Sequence, residues 1–247
     1  MKIAFDKLVA GGIAVAIAAL TASAVVGLDR PAQAAAAAPS ALVPAPAGKA
    51  DLHQPGVKRA QVVFAGGCFW GVQGVFQHIK GVDSALSGYI GGSAANATYP
   101  RVGSGSTGHA EAVQVTYDPS QVSYGQLMQV FFSVAHDPTQ LNRQGPDRGT
   151  QYRSAVYADD AAQRDATRAY IAQLQQARAY AAPVVTQVDG GKPFFAAEGY
   201  HQNYLTLHPE SLYISINDLP KVAALKQQYP ALYREQPRLV STTISAR

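Results

Sequence analysis

The chain has 247 residues, with 20 lysines and arginines against 16 aspartates and glutamates, one cysteine and one tryptophan. The formal charge of +4 is mild and unclustered, which gives nucleic acid no basic footprint. A single cysteine excludes an intramolecular disulfide, and the six scattered histidines lack the Cys/His spacing of a structural zinc site, so no metal is expected.

The first residues read as an address rather than as fold. Lys2 and Lys7 give a basic start, residues 8–28 are almost continuously apolar, and Ala32-Gln33-Ala34 is a small-x-small cleavage signal. Together they predict a signal peptide over 1–34 and an exported, periplasmic protein. The apolar run is also long enough to span a bilayer, so an uncleaved anchor in the inner membrane is the alternative. Residues 35–59 are rich in alanine, proline and small residues, and are expected to be a flexible linker. Residues 60–247 suit one globular domain, expected to be a monomer.

Within that domain Val62, Val63 and Phe64 predict a short buried strand, broken by Gly66 and Gly67. Phe69, Val72, Phe76 and Ile79 then recur at helical spacing. A second strand is predicted over 81–90, followed by a long Gly/Ser/Thr/Asn-rich loop over 93–108, a length that marks functional loops. Residues 110–117 alternate as a strand, with Val113, Val115 and Tyr117 on one face. Ser123 and Gln126 form a capping box for a helix reaching Ala135. A polar loop over 136–151 precedes a strand at 154–157. Asp160 and Gln163 cap a helix extending to about Tyr180, and a strand follows at 184–188, with a turn at Asp189-Gly190-Gly191. Residues 198–207 carry no clear pattern. Asp218 and Pro220 open a last helix that stops near Pro230. The order predicts an α/β (α+β) two-layer sandwich around a split βαβ, ferredoxin-like core, with long irregular loops and a C-terminal coil and helix.

The only cysteine lies in Gly66-Gly67-Cys68-Phe69-Trp70-Gly71. This puts Cys68 in the first turn of a helix, where unpaired N–H groups and the positive dipole end favour a thiolate. The alternative is a small buried core residue. Phe69 and Trp70 can wall an apolar pocket beside the sulfur or serve as core anchors; Trp70 is out of phase with the helical stripe. Glu111 stands in an otherwise apolar strand start, where a carboxyl has a raised pKa and can donate a proton, unless it faces solvent. Tyr99 and Tyr152, in the two long loops, offer phenol donors for a reacting oxygen. On these residues alone two other readings stay open. One is a different thiol enzyme, such as a peroxidase or a cysteine hydrolase with His109 or His201 as base. The other is a non-enzymatic binder with an inert cysteine.

Several ordered motifs carry a resemblance across nearly the whole domain. They are Gly66-Gly67-Cys68-Phe69-Trp70-Gly71, Gly88-Tyr89-Ile90-Gly91-Gly92, Thr98-Tyr99, Gly108-His109-Ala110-Glu111-Ala112-Val113, His136-Asp137-Pro138-Thr139-Gln140, Asp147-Arg148-Gly149-Thr150-Gln151-Tyr152-Arg153-Ser154, Ala197-Glu198 and His201-Gln202-Asn203-Tyr204-Leu205. The chain resembles peptide methionine sulfoxide reductase A. The resemblance implies Cys68 as nucleophile on an S-methionine sulfoxide, Phe69 and Trp70 around the substrate methyl, and Glu111 as the acid for the sulfoxide oxygen. It further implies Tyr99 and Tyr152 as donors to that oxygen and Asp147 as an acidic wall residue; His201 receives no firm role. No bound cofactor is implied. Many relatives resolve the resulting sulfenic acid with further C-terminal cysteines, whereas this chain has none there. It is similar to a one-cysteine branch, in which an external thiol, a thioredoxin-like protein or a small thiol, is expected to reduce Cys68. Oxidised proteins and peptides are the expected substrates, as repair of oxidative damage outside the cytoplasm.

Overall fold

A computed structural model describes residues 43–242. The expected signal peptide, with its expected cleavage site, lies outside the described residues. Six strands form one sheet: β1 (Ala60–Gly66), β2 (Val82–Ile90), β3 (Ala110–Tyr117), then β6 (Ser154–Ala158), β7 (Gln187–Gly190) and β8 (Phe194–Ala196). The two-residue strands β4 (Arg143–Gln144) and β5 (Asp147–Arg148) pair separately inside the 136–151 loop. Six α-helices join them: α1 (Phe69–Gln77), α2 (Tyr99–Val102), α3 (Tyr124–Val130), α4 (Ala161–Gln176), α5 (Tyr204–Leu207) and α6 (Leu219–Gln228).

The sheet order is β7-β6-β1-β3-β2-β8. β3 is antiparallel to both β1 and β2, and β1 is antiparallel to both β3 and β6. Hence β1 and β2 run parallel with β3 between them, and β3 and β6 run parallel with β1 between them. These are two interlocked split βαβ units, as the element order predicts. One face carries the main core, in which Val62, Phe64, Val113, Val115 and Tyr117 pack on Phe69, Phe76, Leu127, Phe131 and Tyr170 of the helices. The opposite face buries a smaller cluster around Val63, Ala65, Ile90, Ala112 and Tyr157.

Local signals hold where they are local. Ser123 and Gln126 form the reciprocal capping box, and Asp160 accepts from the Gln163 N–H. α3 continues as a π-helical turn over Phe131–Ala135. Three expectations are corrected. α4 ends at Gln176 rather than near Tyr180, with Arg178 in the left-handed region (φ 50°). β7 starts at Gln187, not Val184, because the Val185 N–H is drawn off to the Pro138 carbonyl. The described part of the expected linker, 43–59, is not loose. Side-chain amides and phenols hold its carbonyls: Gln129 on Val43, Tyr170 on Pro44 and Gln173 on Ala45, while Val43 and Ala50 are buried. Its composition supplies few apolar anchors, but its backbone acceptors tie it across α3 and α4.

This topology brings distant segments to one end of the sheet. The C-terminal ends of β1 and β2 lie beside the N-terminal ends of β3 and β6: Gly66 pairs with Ser154 and Ile90 with Ala110. Cys68 follows β1, the loop carrying Tyr99 follows β2, Glu111 opens β3 and Tyr152 precedes β6. All four site positions therefore meet at a single edge.

Candidate active site

Cys68 is the N-cap residue of α1. Gly67 turns the chain into it with φ 92°, and a Cβ there would press on the Gln144 side chain at 2.5 Å. Only 9% of Cys68 is exposed. The Trp70 N–H points at the sulfur and lowers its pKa, which is the expected contribution of a helix start. Larger effects oppose it. Burial pushes the thiol well above its ordinary value, and the carboxyls of Glu111, Asp218 and Asp147 push it further the same way. The expectation of a resting thiolate is therefore corrected: the free site holds Cys68 as a thiol, because desolvation and three nearby acids outweigh one end of a helix.

Glu111 is 2% exposed and accepts a hydrogen bond of 3.1 Å from the Phe69 N–H, one residue beyond Cys68. Burial raises its pKa to about 8, against the lowering effect of that bond, with Asp147 and Asp218 adding to the rise. It is an uncharged acid at neutral pH. Tyr99 and Tyr152 both have raised pKa values, first through burial and then through Glu111, with Cys68 and Asp147 contributing to each. Both phenols thus lie within electrostatic reach of the thiol and the acid and remain protonated donors. The Tyr99 backbone is fixed by its N–H on Glu198, whose other oxygen accepts from Tyr89.

Phe69 is buried against Tyr89 and His201. Trp70 is half-buried, stacked on Tyr204 at 3.9 Å and met edge-on by Tyr213 at 5.9 Å. Its indole N–H donates to His201 Nδ1 at 3.3 Å. This bond places the His201 proton on Nε2, and burial lowers the ring's pKa, so His201 is a neutral prop for the tryptophan. His109 is occupied in the loop, with Nδ1 accepting from Gly92 and Nε2 on the Ser93 carbonyl. Neither histidine is engaged as a base for Cys68. Asp147 accepts a short hydrogen bond from Tyr213 and its pKa is raised, mainly by burial.

Sequence reasoning missed Tyr213 and the site role of Asp218. Asp218 is fully buried, 3.0 Å from Lys221, and its carboxylate lies against Gly71 in the first turn of α1. The sequence marks it only as a helix-opening residue. Tyr213 sits in an ordinary polar stretch with no motif to single it out.

The peptide methionine sulfoxide reductase family profile matches residues 60–232. The chain belongs to that family. Peptide methionine sulfoxide reductase MsrA 2 of Mesorhizobium japonicum is 61% identical over 186 residues, covering 75% of this chain and 94% of that protein. MsrA of Deinococcus radiodurans is 48% identical over 176 residues, 71% of this chain and 85% of its own. Among solved structures, reduced Mxr1 of Saccharomyces cerevisiae matches with a TM-score of 0.57 at 30% identity, covering 67% of this chain and 94% of its own. This peptide methionine sulfoxide reductase is an oxidoreductase, a peptide-methionine (S)-S-oxide reductase. The expected α/β fold is the fold of its structural neighbours.

Proposed function

We propose that the enzyme reduces S-methionine sulfoxide in oxidised proteins and peptides by oxygen transfer to Cys68. In balanced form, a sulfoxide and the Cys68 thiol give a thioether and a Cys68 sulfenic acid. The observation that carries this reading is the buried, proton-bearing Glu111 bonded to the backbone one residue beyond the sulfur. A sulfoxide is a weak electrophile until its oxygen is protonated, and donors aimed at that oxygen act where charge builds in the transition state. Glu111 supplies the proton, and Tyr99 and Tyr152 supply hydrogen bonds. Phe69 and Trp70 hold the methyl group, and Asp147, oriented by Tyr213, lines the wall. Two external thiols then return Cys68 to the thiol, from a thioredoxin-like protein or a small thiol, since the chain has no second cysteine. The basic start, apolar run and small-x-small signal of residues 1–34 support a periplasmic site for this repair, with an inner-membrane anchor as the alternative. The test is a single turnover without reductant on S and R sulfoxide peptides. One methionine per enzyme and one added oxygen on Cys68, from the S epimer only, is the expected result. Turnover of both epimers, or oxygen on no cysteine, refutes the reading. Fractionation of cells for the mature protein tests the compartment.

A further inference from the structure

β1 leaves the sheet after Gly66 to deliver Cys68, and its departure opens a gap. Its pairing with β3 ends at Phe64–Val113 and its pairing with β6 ends at Gly66–Ser154. Beyond those pairs the residues leading into β3 and the 3₁₀ turn Thr150–Tyr152 before β6 stand two strand spacings apart, about 10 Å. The guanidinium of Arg153 bridges that gap. Its Nη1 donates to the His109 carbonyl at 3.2 Å and the Thr150 carbonyl at 2.9 Å. Its Nη2 donates to the Gly108 carbonyl at 3.0 Å and the Tyr157 hydroxyl at 2.9 Å. The four N–H groups of the two terminal nitrogens thus meet four acceptors drawn from both sides. The charge of Arg153 reaches Asp189, but among the described residues the side chain makes no ion pair. The same turn is held on its other flank, where Thr150 Oγ1 donates to the Gly105 carbonyl at 2.7 Å and the Gln151 amide to the Gly103 carbonyl at 3.3 Å.

We infer that Arg153 is a positioning residue for Tyr152, standing in for the strand that β1 gives up to place Cys68. The inference rests on the reading of Tyr152 as a donor to the sulfoxide oxygen. β3 is the fixed side of the bridge. Glu111 is 2% exposed, pairs with Tyr89 across the sheet and accepts from the Phe69 N–H. Tyr152 is on the side that needs fixing. It is half-buried and ends a three-residue turn whose own bond is Tyr152 N–H to the Gly149 carbonyl at 3.0 Å. So short a turn has poor hydrogen-bond geometry and little stiffness of its own. Arg153, the next residue, ties it to the carbonyls two and three residues before Glu111. Phenol and acid are thereby set at one distance from each other, with the chain to Cys68 emerging between them. A donor helps only when aimed at the place where the oxygen's charge develops. Lysine cannot make this bridge, because its donors fan from one nitrogen whereas the guanidinium is a flat fork.

The experiment follows single-turnover methionine formation by full-length protein over a range of S-sulfoxide peptide concentrations, in Arg153→Lys, Tyr152→Phe and the double variant. Arg153→Lys keeps the charge and loses the fork. It is expected to lower the saturating rate about 10²-fold, the usual cost of a misplacement of about 1 Å. The half-saturating concentration is expected to stay within about twofold, because Phe69 and Trp70 hold the methyl group from another segment. In the Tyr152→Phe background the same change is expected to cost less than about threefold, since the group it positions is gone. Thr150→Val, at an exposed position, cuts the bond to Gly105 and leaves the guanidinium. It is expected to slow the saturating rate several-fold, again only while Tyr152 keeps its hydroxyl, and it decides the matter if Arg153→Lys does not fold. Equal losses with and without the Tyr152 hydroxyl show a general structural role and overturn the proposal. So does a raised half-saturating concentration at an unchanged saturating rate, or a wild-type rate in both Arg153→Lys and Thr150→Val. Tyr152→Phe at the wild-type rate defeats the underlying reading of Tyr152, and this inference with it.

Discussion

Replacing Glu111 by glutamine is the sharpest test of the proposed chemistry. The side chain keeps its shape and an oxygen to accept from the Phe69 N–H, but loses the transferable proton. The glutamate pKa of about 8 leaves roughly ten protonated sites for each ionised one at pH 7. Cys68, with its pKa raised well above the ordinary value, is also protonated. The resting pair thus holds two protons, while forming the adduct consumes a thiolate and one acid proton. The competent pair carries one proton, and its population grows as pH rises to the first titration of the coupled pair. In single turnover, kcat/KM of the wild type is expected to rise about tenfold per pH unit below an inflection near pH 8, and to level above it. In Glu111→Gln that inflection disappears, and the rate at pH 7 falls by about 10²–10⁴-fold, the usual worth of a placed general acid. Without the carboxylate charge, Cys68 titrates at lower pH than in the wild type, which thiolate absorbance reads directly. A variant within tenfold of wild type, or a wild-type profile flat from pH 6 to 9, refutes this account.

In the proposed reaction Tyr99→Phe and Tyr152→Phe each remove one donor from the sulfoxide oxygen. Each is expected to slow the single-turnover step by about 10²-fold with little change in stability, measured by rapid quench and thermal melts. Gly71→Ala adds a methyl that would collide with buried Asp218. The usual helix gain of about 0.5–1 kcal/mol for that change is expected to reverse into a net loss of about 1–3 kcal/mol, read from the urea midpoint. His136 is buried between the Phe131 carbonyl and Ser154, with its pKa lowered by burial to about 4. A histidine that titrates lower folded than unfolded gives stability present at neutral pH and lost as pH falls. The window runs from the unfolded value of about 6.5 down to about 4, and the loss is on the order of 3 kcal/mol. His136→Gln is expected to flatten that acid limb in denaturant titrations from pH 7 to 4.

What the sequence makes legible follows from how far each effect reaches along the chain. The strand, the double glycine and the helix that set Cys68 in place are adjacent, and each capping box spans three residues, so both are readable. The meeting of Tyr99, Glu111 and Tyr152 depends on β1, β2, β3 and β6 sharing one edge, which residue patterns leave open and the family resemblance supplies. Tyr213 and Asp218 are about 145 and 150 residues from Cys68, and nothing in their neighbourhoods predicts contact with it. The ionisation of Cys68 departs from the local expectation for the same reason. The helix dipole is visible in the local sequence, whereas burial and the acids at 111, 147 and 218 come from three other segments. The described part of the 35–59 segment is not the loose linker its composition predicts, because Gln129, Tyr170 and Gln173, far along the chain, hold its backbone.

The buried thiol makes physical sense for a protein with one cysteine. Oxidants react with the thiolate, so a nucleophile kept protonated by burial and by neighbouring acids is protected while idle. The same arrangement requires the substrate to create the reactive ionisation. A sulfoxide seated with its sulfur towards Cys68 and its oxygen towards Glu111 presents positive character to the thiol and negative character to the acid. Both dipole ends favour the state with thiolate and protonated glutamic acid. In the proposed reaction, binding of the methyl group between Phe69 and Trp70 would enforce that orientation and so convert apolar contact energy into deprotonation of Cys68. An oxidant lacking a methyl for the aromatic pair and an oxygen for Glu111 gains no such activation. On the proposed reaction, selectivity for the sulfoxide and protection of the lone thiol have one cause, the non-local burial that overrules the helix start.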